Sequence, residues 1–489
     1  MRLILGGPGC GKTTALVNEV RGFLKTCEPD EIGFVAFTRK AADEARSRCA
    51  KDLNLDPKDM VYFRTIHSFC FRELGLNRNQ VMQDSDYEII AKDTGLDVNR
   101  AVDQEFGLPT GMGVGDKIIF LEQYARSTGK HFETILDKNH LNTWLGRQYC
   151  AALKKYKQSK NLLDFTDMIE RFISFGLAPN LKVLVVDEAQ DLSHLHWRVV
   201  DILAAKAGRL IVAGDDDQTI YRWAGADIKR FLSLAGDRVV LPMSHRLPKT
   251  IFELANRVLG RISKRYPKEW QPRDEEGEIL RLDMMDKLVK YLKHGSWYCL
   301  ARHAYLLPHY KKIVERNGFV YEYKGRSSTD TTDTRAIIAW ERLRKGKAVS
   351  LQECQLVGRR LHDCLKSDMF NRLDSIADEG QSYDAAQMGL RAMPAWMEAL
   401  NISNREYYRA CIINGEKLTG PPRIKLSTIH GVKGGEADNV AILPDLSNKA
   451  HKELISKPNN EHRVFYVGAT RARHRLFLMA PKGALTYAF

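Results

Sequence analysis

None of the nine cysteines forms a Cys-x-x-Cys pair; they stand apart at positions 10, 27, 49, 70, 150, 299, 354, 364 and 411 of the 489-residue chain. That scatter argues against a zinc site or a disulfide framework and predicts a reducing cytoplasm. No apolar run approaches the ~20 residues that cross a bilayer, so no membrane partner is expected. Repeats of solenoid period and low-complexity segments are also missing. One basic and three apolar residues precede a glycine-rich loop at the N-terminus, so no signal peptide is expected. What remains is a globular composition, 44% hydrophobic, with length for two to four domains. The net charge of +14 raises the expectation of a polyanionic partner, because neutralising phosphates supplies most non-specific nucleic-acid affinity.

The loop is Gly6-Gly7-Pro8-Gly9-Cys10-Gly11-Lys12-Thr13, placed between an apolar run, Leu3-Ile4-Leu5, and a helical pattern from Lys12 to Lys25. Strand, loop and helix in that order form a phosphate cradle: glycines turn backbone N–H groups inward, and the helix N-terminus favours negative charge. Lys12 is expected to reach the β- and γ-phosphates of a nucleoside triphosphate, and Thr13 to hold Mg²⁺. Cys10 is either a small loop filler or a redox switch.

Short β-branched runs followed by helical patterns recur at Ile32–Phe37, Val183–Val186 and Leu210–Ala213, as in parallel sheets with ligands at the strand ends. Charged, mostly helical sequence from about Arg78 to Lys160 interrupts this pattern. A second series begins after Leu247, with strand candidates at Trp297–Ala301 and Val320–Tyr323. Another helical block, about Asp333–Leu418, comes before Ile424–Ile429, Val440–Leu443 and Arg475–Met479.

Asp187 and Glu188 end the run Val183–Val186; there, Asp187 suits Mg²⁺ coordination and Glu188 suits polarising an attacking water. Gln218, an amide able to sense a γ-phosphate, lies five positions before Trp223, which is either a core residue or a platform for stacked bases. The helical segment carrying Arg147, Lys154, Lys155, Tyr156, Lys157 and Lys160 is either a nucleic-acid guide or a solvated face.

These segments, in this order, resemble the UvrD/Rep family of superfamily 1 helicases. Phe37-Thr38-Arg39 and Thr65 to Phe69 are similar to its motifs Ia and Ib, and Ser244-His245-Arg246 occupies motif IV. Thr428 to Glu436 looks like motif V, and Glu461 to Arg473 like motif VI. The resemblance implies an α/β fold: two RecA-like P-loop domains with parallel sheets, each carrying a mostly helical insertion. The implied divisions are 1–78 with 160–246 (first domain), 79–159 (its insertion), 247–332 with 421–489 (second domain) and 333–420 (its insertion). ATP would lie in the cleft between the domains, with Mg²⁺ on Thr13 and Asp187.

By the same resemblance, Lys12, Asp187, Glu188, Gln218, Arg246 and Arg471 form the catalytic set. Gly6, Gly7, Pro8, Gly9, Cys10, Gly11, Thr13, Thr14, His245 and Glu436 complete the nucleotide site with Lys12, Arg246 and Arg471. Phe37, Thr38, Arg39, His67, Tyr221, Trp223, His430 and Lys433 would line a path for single-stranded DNA. An arginine reaching the γ-phosphate from a second domain has its own physical warrant, since it spreads the charge of the transferring phosphoryl group. The implied activity is 3′→5′ DNA unwinding at single-strand/duplex junctions, in replication, repair or recombination and alongside single-strand-binding proteins. Its alternative is a translocase that strips bound proteins and unwinds poorly. Little sequence follows Arg473, so a fused nuclease domain is not expected.

Departures from the family pattern gather at the base of the nucleotide. Thr14 stands where an arginine often flanks it, and His245 where a tyrosine often stacks on it. The family's upstream glutamine is expected to be missing. Weak discrimination among the four NTPs follows as an expectation. Ala224 stands where many relatives carry an arginine, and the second insertion shows no glycine-rich hairpin.

Overall fold

The computed structural model describes residues 1–98, 113–373, 382–390 and 393–489. Two large sheets organise it. The first holds six parallel strands in the order Phe63–Thr65, Ile32–Ala36, Val183–Val186, Arg209–Gly214, Arg2–Leu5 and Asp237–Val240. Its inner strands are apolar on both faces because helices cover both. On one face Ile4, Phe34, Val183 and Val185 pack against Leu16, Val17 and Val20 of helix Lys12–Phe23 and against Ala42, Ala45 and Cys49 of helix Arg39–Leu53. On the other, Leu3, Leu5, Val35, Leu184 and Val186 meet helices Ile66–Glu73, Phe165–Phe175 and His194–Lys206. Successive strand residues divide between the two cores, as a two-residue period requires.

The second sheet has seven strands in the order Arg326–Ser327, Tyr321–Tyr323, Ile424–Thr428, Trp297–Ala301, Ala437–Leu443, Ala472–Met479 and Glu278–Leu282. All pairs are parallel except the hairpin of the first two strands. Helices Lys249–Leu259 and Pro458–Ala469 cover one face and helix Leu307–Arg316 the other. The fold is therefore mixed α/β with two RecA-like parallel sheets.

Helical segments with cores of their own accompany both sheets. Helices Asp84–Asp93, Val114–Thr128, Phe132–Lys138 and Thr143–Lys160 bury Tyr87, Ile118, Leu136 and Tyr149 together. Helices Thr332–Arg344, Leu351–Gly358 and Arg405–Ile413 gather around Trp340, beside a two-stranded pair, Val349–Ser350 with Ser382–Tyr383.

Sequence patterning located nine of the strands to within a few residues. It missed Phe63–Thr65, Asp237–Val240, Met243–Pro248, Gln271–Arg273, Glu278–Leu282 and the two-residue strands Arg326–Ser327, Val349–Ser350 and Ser382–Tyr383. These are edge or short strands, most of them carrying charged residues or proline, and partial exposure removes the apolar run that marks a central strand.

Candidate nucleotide cleft and nucleic-acid interface

Strands Val183–Val186, Arg209–Gly214 and Arg2–Leu5 are neighbours in parallel register, with Leu5 opposite Gly214 and Val186 opposite Val212. Their C-terminal ends therefore set the phosphate loop, the Asp187–Glu188 pair and the turn Asp215–Gln218 side by side. Gly9 and Gly11 hold φ of 74° and 76°, a left-handed backbone that L side chains rarely adopt. A Cβ on Gly9 would lie 2.4 Å from Cβ of Arg246, and one on Gly7 would lie 2.4 Å from the indole of Trp270. The second half of the chain is thus packed directly on the loop. Ser244 Oγ donates to Pro8 O at 2.7 Å, and the His245 backbone N–H donates to Gly9 O at 2.9 Å.

Lys12 is buried and donates to Gly6 O at 2.9 Å and Gly7 O at 3.2 Å. Thr13 Oγ1 donates to Asp187 Oδ2 at 2.8 Å. This hydroxyl–carboxylate pair is the hard oxygen chemistry that suits Mg²⁺. Burial, followed by the neighbouring Glu188, pushes the Asp187 carboxyl up to about 6. Burial also acts to raise Glu188, but Lys12 and Lys433 outweigh it and hold its carboxyl below the ordinary value, keeping it an acceptor. Glu188 sits at φ 52°, a strained position for a non-glycine residue at a strand tip. Cys10 is buried, and burial raises its thiol to about 11, which favours the loop-filler reading over a reactive thiolate.

Arg471 comes from the turn after helix Pro458–Ala469 and is 1% exposed. It donates to Val467 O at 3.0 Å, Gly435 O at 3.1 Å and Gln218 Oε1 at 2.8 Å. All three acceptors are neutral. Burial, then Arg246, pulls its guanidinium down to about 9. Lys12, buried on the facing wall, likewise has only carbonyl partners among the hydrogen bonds of the described residues. Two buried cations thus spend their direct hydrogen bonds on neutral acceptors, with the Glu188 carboxyl near enough to feel both charges, and a phosphate anion can take over those donors. Arg246 Nε donates to Glu436 Oε2 at 2.6 Å, so Arg246 and Glu436 lie on the same wall as Arg471. Thr14 Oγ1 accepts from Arg48 Nη1 at 3.1 Å; helix Arg39–Leu53 thus brings a guanidinium to the position where the sequence lacks one.

The expected nucleic-acid residues divide into three groups. Phe37 stacks on Tyr221 with ring centroids 5.2 Å apart, Tyr221 lies 6.1 Å from Trp223, and Trp223 lies 6.3 Å from His430. Trp223 and His430 line a 190 Å³ cavity with Arg302, His303, Tyr305 and Lys449. His67 and Arg39 lie elsewhere, in a cavity of about 1030 Å³ lined by Arg46, Arg64, Arg78 and Lys160. Exposed Thr38 caps helix Arg39–Leu53, accepting from Ala41 N at 3.2 Å. Lys433 Nζ lies over the Tyr221 ring, 5.1 Å from its centroid, and donates to Asp191 and to Gln218 O. On helix Thr143–Lys160, Arg147 pairs with Glu133, and Lys157 with Asp164 and Asp167. Arg147, Lys154, Lys155 and Lys160 are all exposed.

Sequence reasoning missed Lys268, Arg265, Trp270 and Arg302. Trp270 stands edge-to-face on Phe252 at 4.7 Å. Arg302 forms a two-pronged pair with buried Glu461 at 2.8 and 2.9 Å. A signal for the first two existed in the sequence: Asp215-Asp216-Asp217 directly follows a buried strand, and buried carboxylates require cations. The basic run Lys264-Arg265-Tyr266-Pro267-Lys268 was there to supply them.

The paired sheets, the glycine cradle and the arginines opposite define a two-domain P-loop protein of the RecA-like class. Residues 1–238 match the family profile described as the UvrD/REP helicase N-terminal domain, and residues 339–483 the UvrD-like helicase C-terminal domain. The chain belongs to the UvrD-like family of superfamily 1 helicases. It is 29% identical over 303 residues to the ATP-dependent DNA helicase PcrA of Bacillus subtilis, covering 56% of this chain and 39% of that one. It is 27% identical over 281 residues to the ATP-dependent DNA helicase Rep of Buchnera aphidicola, covering 53% and 40%. PcrA of Staphylococcus aureus is 29% identical over 300 residues, covering 56% and 40%. The chain thus spans about two-fifths of the length of these relatives. Among solved structures, the PRRSV helicase aligns with a TM-score of 0.32 at 11% identity, over 98% of this chain and 52% of that one. Among the described residues no helix is long and apolar enough to cross a membrane.

Proposed function

We propose that the protein is an ATP-dependent DNA helicase that translocates 3′→5′ on single-stranded DNA, with hydrolysis in the cleft between the two sheets. The observation that carries this reading is that Lys12 of the phosphate loop and Arg471, bonded to Gln218 across the two sheets, are buried cations whose direct hydrogen bonds go to neutral acceptors. Family membership and the names of the relatives support it.

The mechanism follows from the side chains. Lys12 would exchange its loop carbonyls for phosphate oxygens, and the N–H groups at the start of helix Lys12–Phe23 would hold the β-phosphate. Thr13 and Asp187 would hold Mg²⁺, which when bound neutralises phosphate charge. Glu188 would orient the attacking water and accept its proton. Arg246 and Arg471 would stabilise the transferring phosphoryl group, and Gln218 would report its presence to Arg471. Loss of the γ-phosphate removes the anion joining the two walls, so the cleft reopens. Bases stacked on Trp223 would gain about 1–3 kcal/mol each without sequence preference. Melting one duplex step costs about 1.4 kcal/mol of stacking, well within one hydrolysis event.

The domain divisions we propose are 1–78 with 160–246 and 247–332 with 421–489, with 79–159 and 333–420 as their insertions. Tailed duplexes test the activity. Unwinding should occur with a 3′ overhang and fail with a 5′ overhang. If the 3′ substrate stays duplex while a protein block on single-stranded DNA is displaced, the protein is a stripping translocase instead.

A further inference from the structure

Asp215, Asp216 and Asp217 are each 0% exposed and follow strand Arg209–Gly214. They offer ligand oxygens within 4.8 Å of one another, as a cation site does. The cation that fills the position is the ammonium of Lys268, whose side chain is also fully buried. Its Nζ lies 3.1 Å from Asp215 Oδ1, 2.9 Å from Asp217 Oδ2 and closer still to Asp216. Arg265 adds a two-pronged pair to Asp217 at 2.8 and 2.7 Å. Arg463 Nε donates to Asp216 O at 2.9 Å. All three cations come from the second half of the chain, and all three carboxylates from the first.

The cluster leads directly into the cleft. Asp215 Oδ2 accepts from Gln218 Nε2 at 2.7 Å, which fixes the amide so that Oε1 faces Arg471. The Asp215 backbone N–H donates to Gln190 Oε1 at 2.9 Å, and Gln190 Nε2 in turn donates to Glu188. Burial would raise the Asp215 carboxyl, but Lys268 first and then Lys12 hold it below the ordinary value, so it remains an acceptor for both donors. Without Lys268, three buried carboxylates would share fewer cations, and protonation or rearrangement would follow.

We propose that Lys268 is a positioning residue for hydrolysis: through Asp215 it sets the orientation of Gln218 against Arg471. This rests on the functional reading above and adds to it a residue outside the phosphate-contacting set. It also makes the Lys268 segment a second route, besides Arg471, by which the second half of the chain acts on the cleft.

The test is a double-mutant cycle on the full chain, read as kcat and KM for single-strand-stimulated ATP hydrolysis. Lys268→Met should lower kcat by up to about 10²-fold, the scale of a small misplacement in an active site, and leave KM nearly unchanged. Lys268→Arg should recover part of the loss. Lys268→Met combined with Gln218→Ala should be no slower than Gln218→Ala alone. Wild-type kcat in Lys268→Met, or losses that multiply in the double variant, would overturn the proposal. Where Lys268→Met does not fold, Lys268→Arg carries the same cycle, and multiplying losses would again overturn it. A wild-type protein with no hydrolysis would instead overturn the functional reading beneath it.

Discussion

Arg471 Nη2 donates to Gln218 Oε1 at 2.8 Å, and the two residues come from opposite sheets. Each is buried, and the bond joins the element that would sense a γ-phosphate to the guanidinium that would stabilise it. Arg471→Ala should therefore lower hydrolysis by about 10³–10⁵-fold, the range for an arginine finger, while nucleotide still binds. Single-turnover hydrolysis beside a titration with fluorescent nucleotide separates the two effects. A loss of binding as large as the loss of rate would make Arg471 a ground-state contact only.

Trp223 offers the aromatic face between Tyr221 and His430. Trp223→Ala should weaken single-stranded DNA binding by about 1–3 kcal/mol per lost stack and leave DNA-independent hydrolysis unchanged. Fluorescence anisotropy with a labelled oligonucleotide measures the first quantity. Unchanged affinity would assign Trp223 to the core rather than to the DNA path.

Base selectivity tests the surroundings of Thr14 and His245. With the small imidazole of His245 in place of a tyrosine ring, the four NTPs should be hydrolysed with kcat/KM values within about tenfold, since the phosphates supply most of the grip. Arg48 approaches Thr14, so Arg48→Ala should raise KM for every NTP alike. A strong ATP preference, lost in Arg48→Ala, would show that this guanidinium reads the base.

Glu122 lies buried beside Arg126, and burial first of all raises its carboxyl to about 7. The sign follows from linkage. The folded state keeps a proton that the unfolded state releases near pH 4, so stability is lost as pH rises from about 4 to about 7. Glu122→Gln removes that loss. Its thermal midpoint should exceed the wild-type value at pH 8 and match it near pH 4.5. An equal shift at both pH values would place the effect in packing instead of ionisation.

The central strands and the phosphate loop were legible because each carries its signal locally. Val183–Val186 is a continuous buried run ending in Asp187, and Gly9 and Gly11 mark a backbone only glycine adopts freely. The arginines were legible through motif order. The partner of the Asp215–Asp217 cluster was not, because Lys268 lies 52 residues from Asp216 and nothing local names it. For Lys433 the motif gives a place on the DNA path but not its partners: its Nζ lies over the Tyr221 ring and also reaches Asp191 and Gln218 O. Sequence identifies residue types at a site more readily than the direction in which a long side chain turns.

The most direct measurement of the central claim is ATP hydrolysis by the full chain with and without single-stranded DNA, for wild type and Lys12→Ala. The cleft geometry predicts hydrolysis that rises with DNA in the wild type and is abolished in the variant. Hydrolysis absent from the wild type under both conditions, or retained in Lys12→Ala, would contradict it.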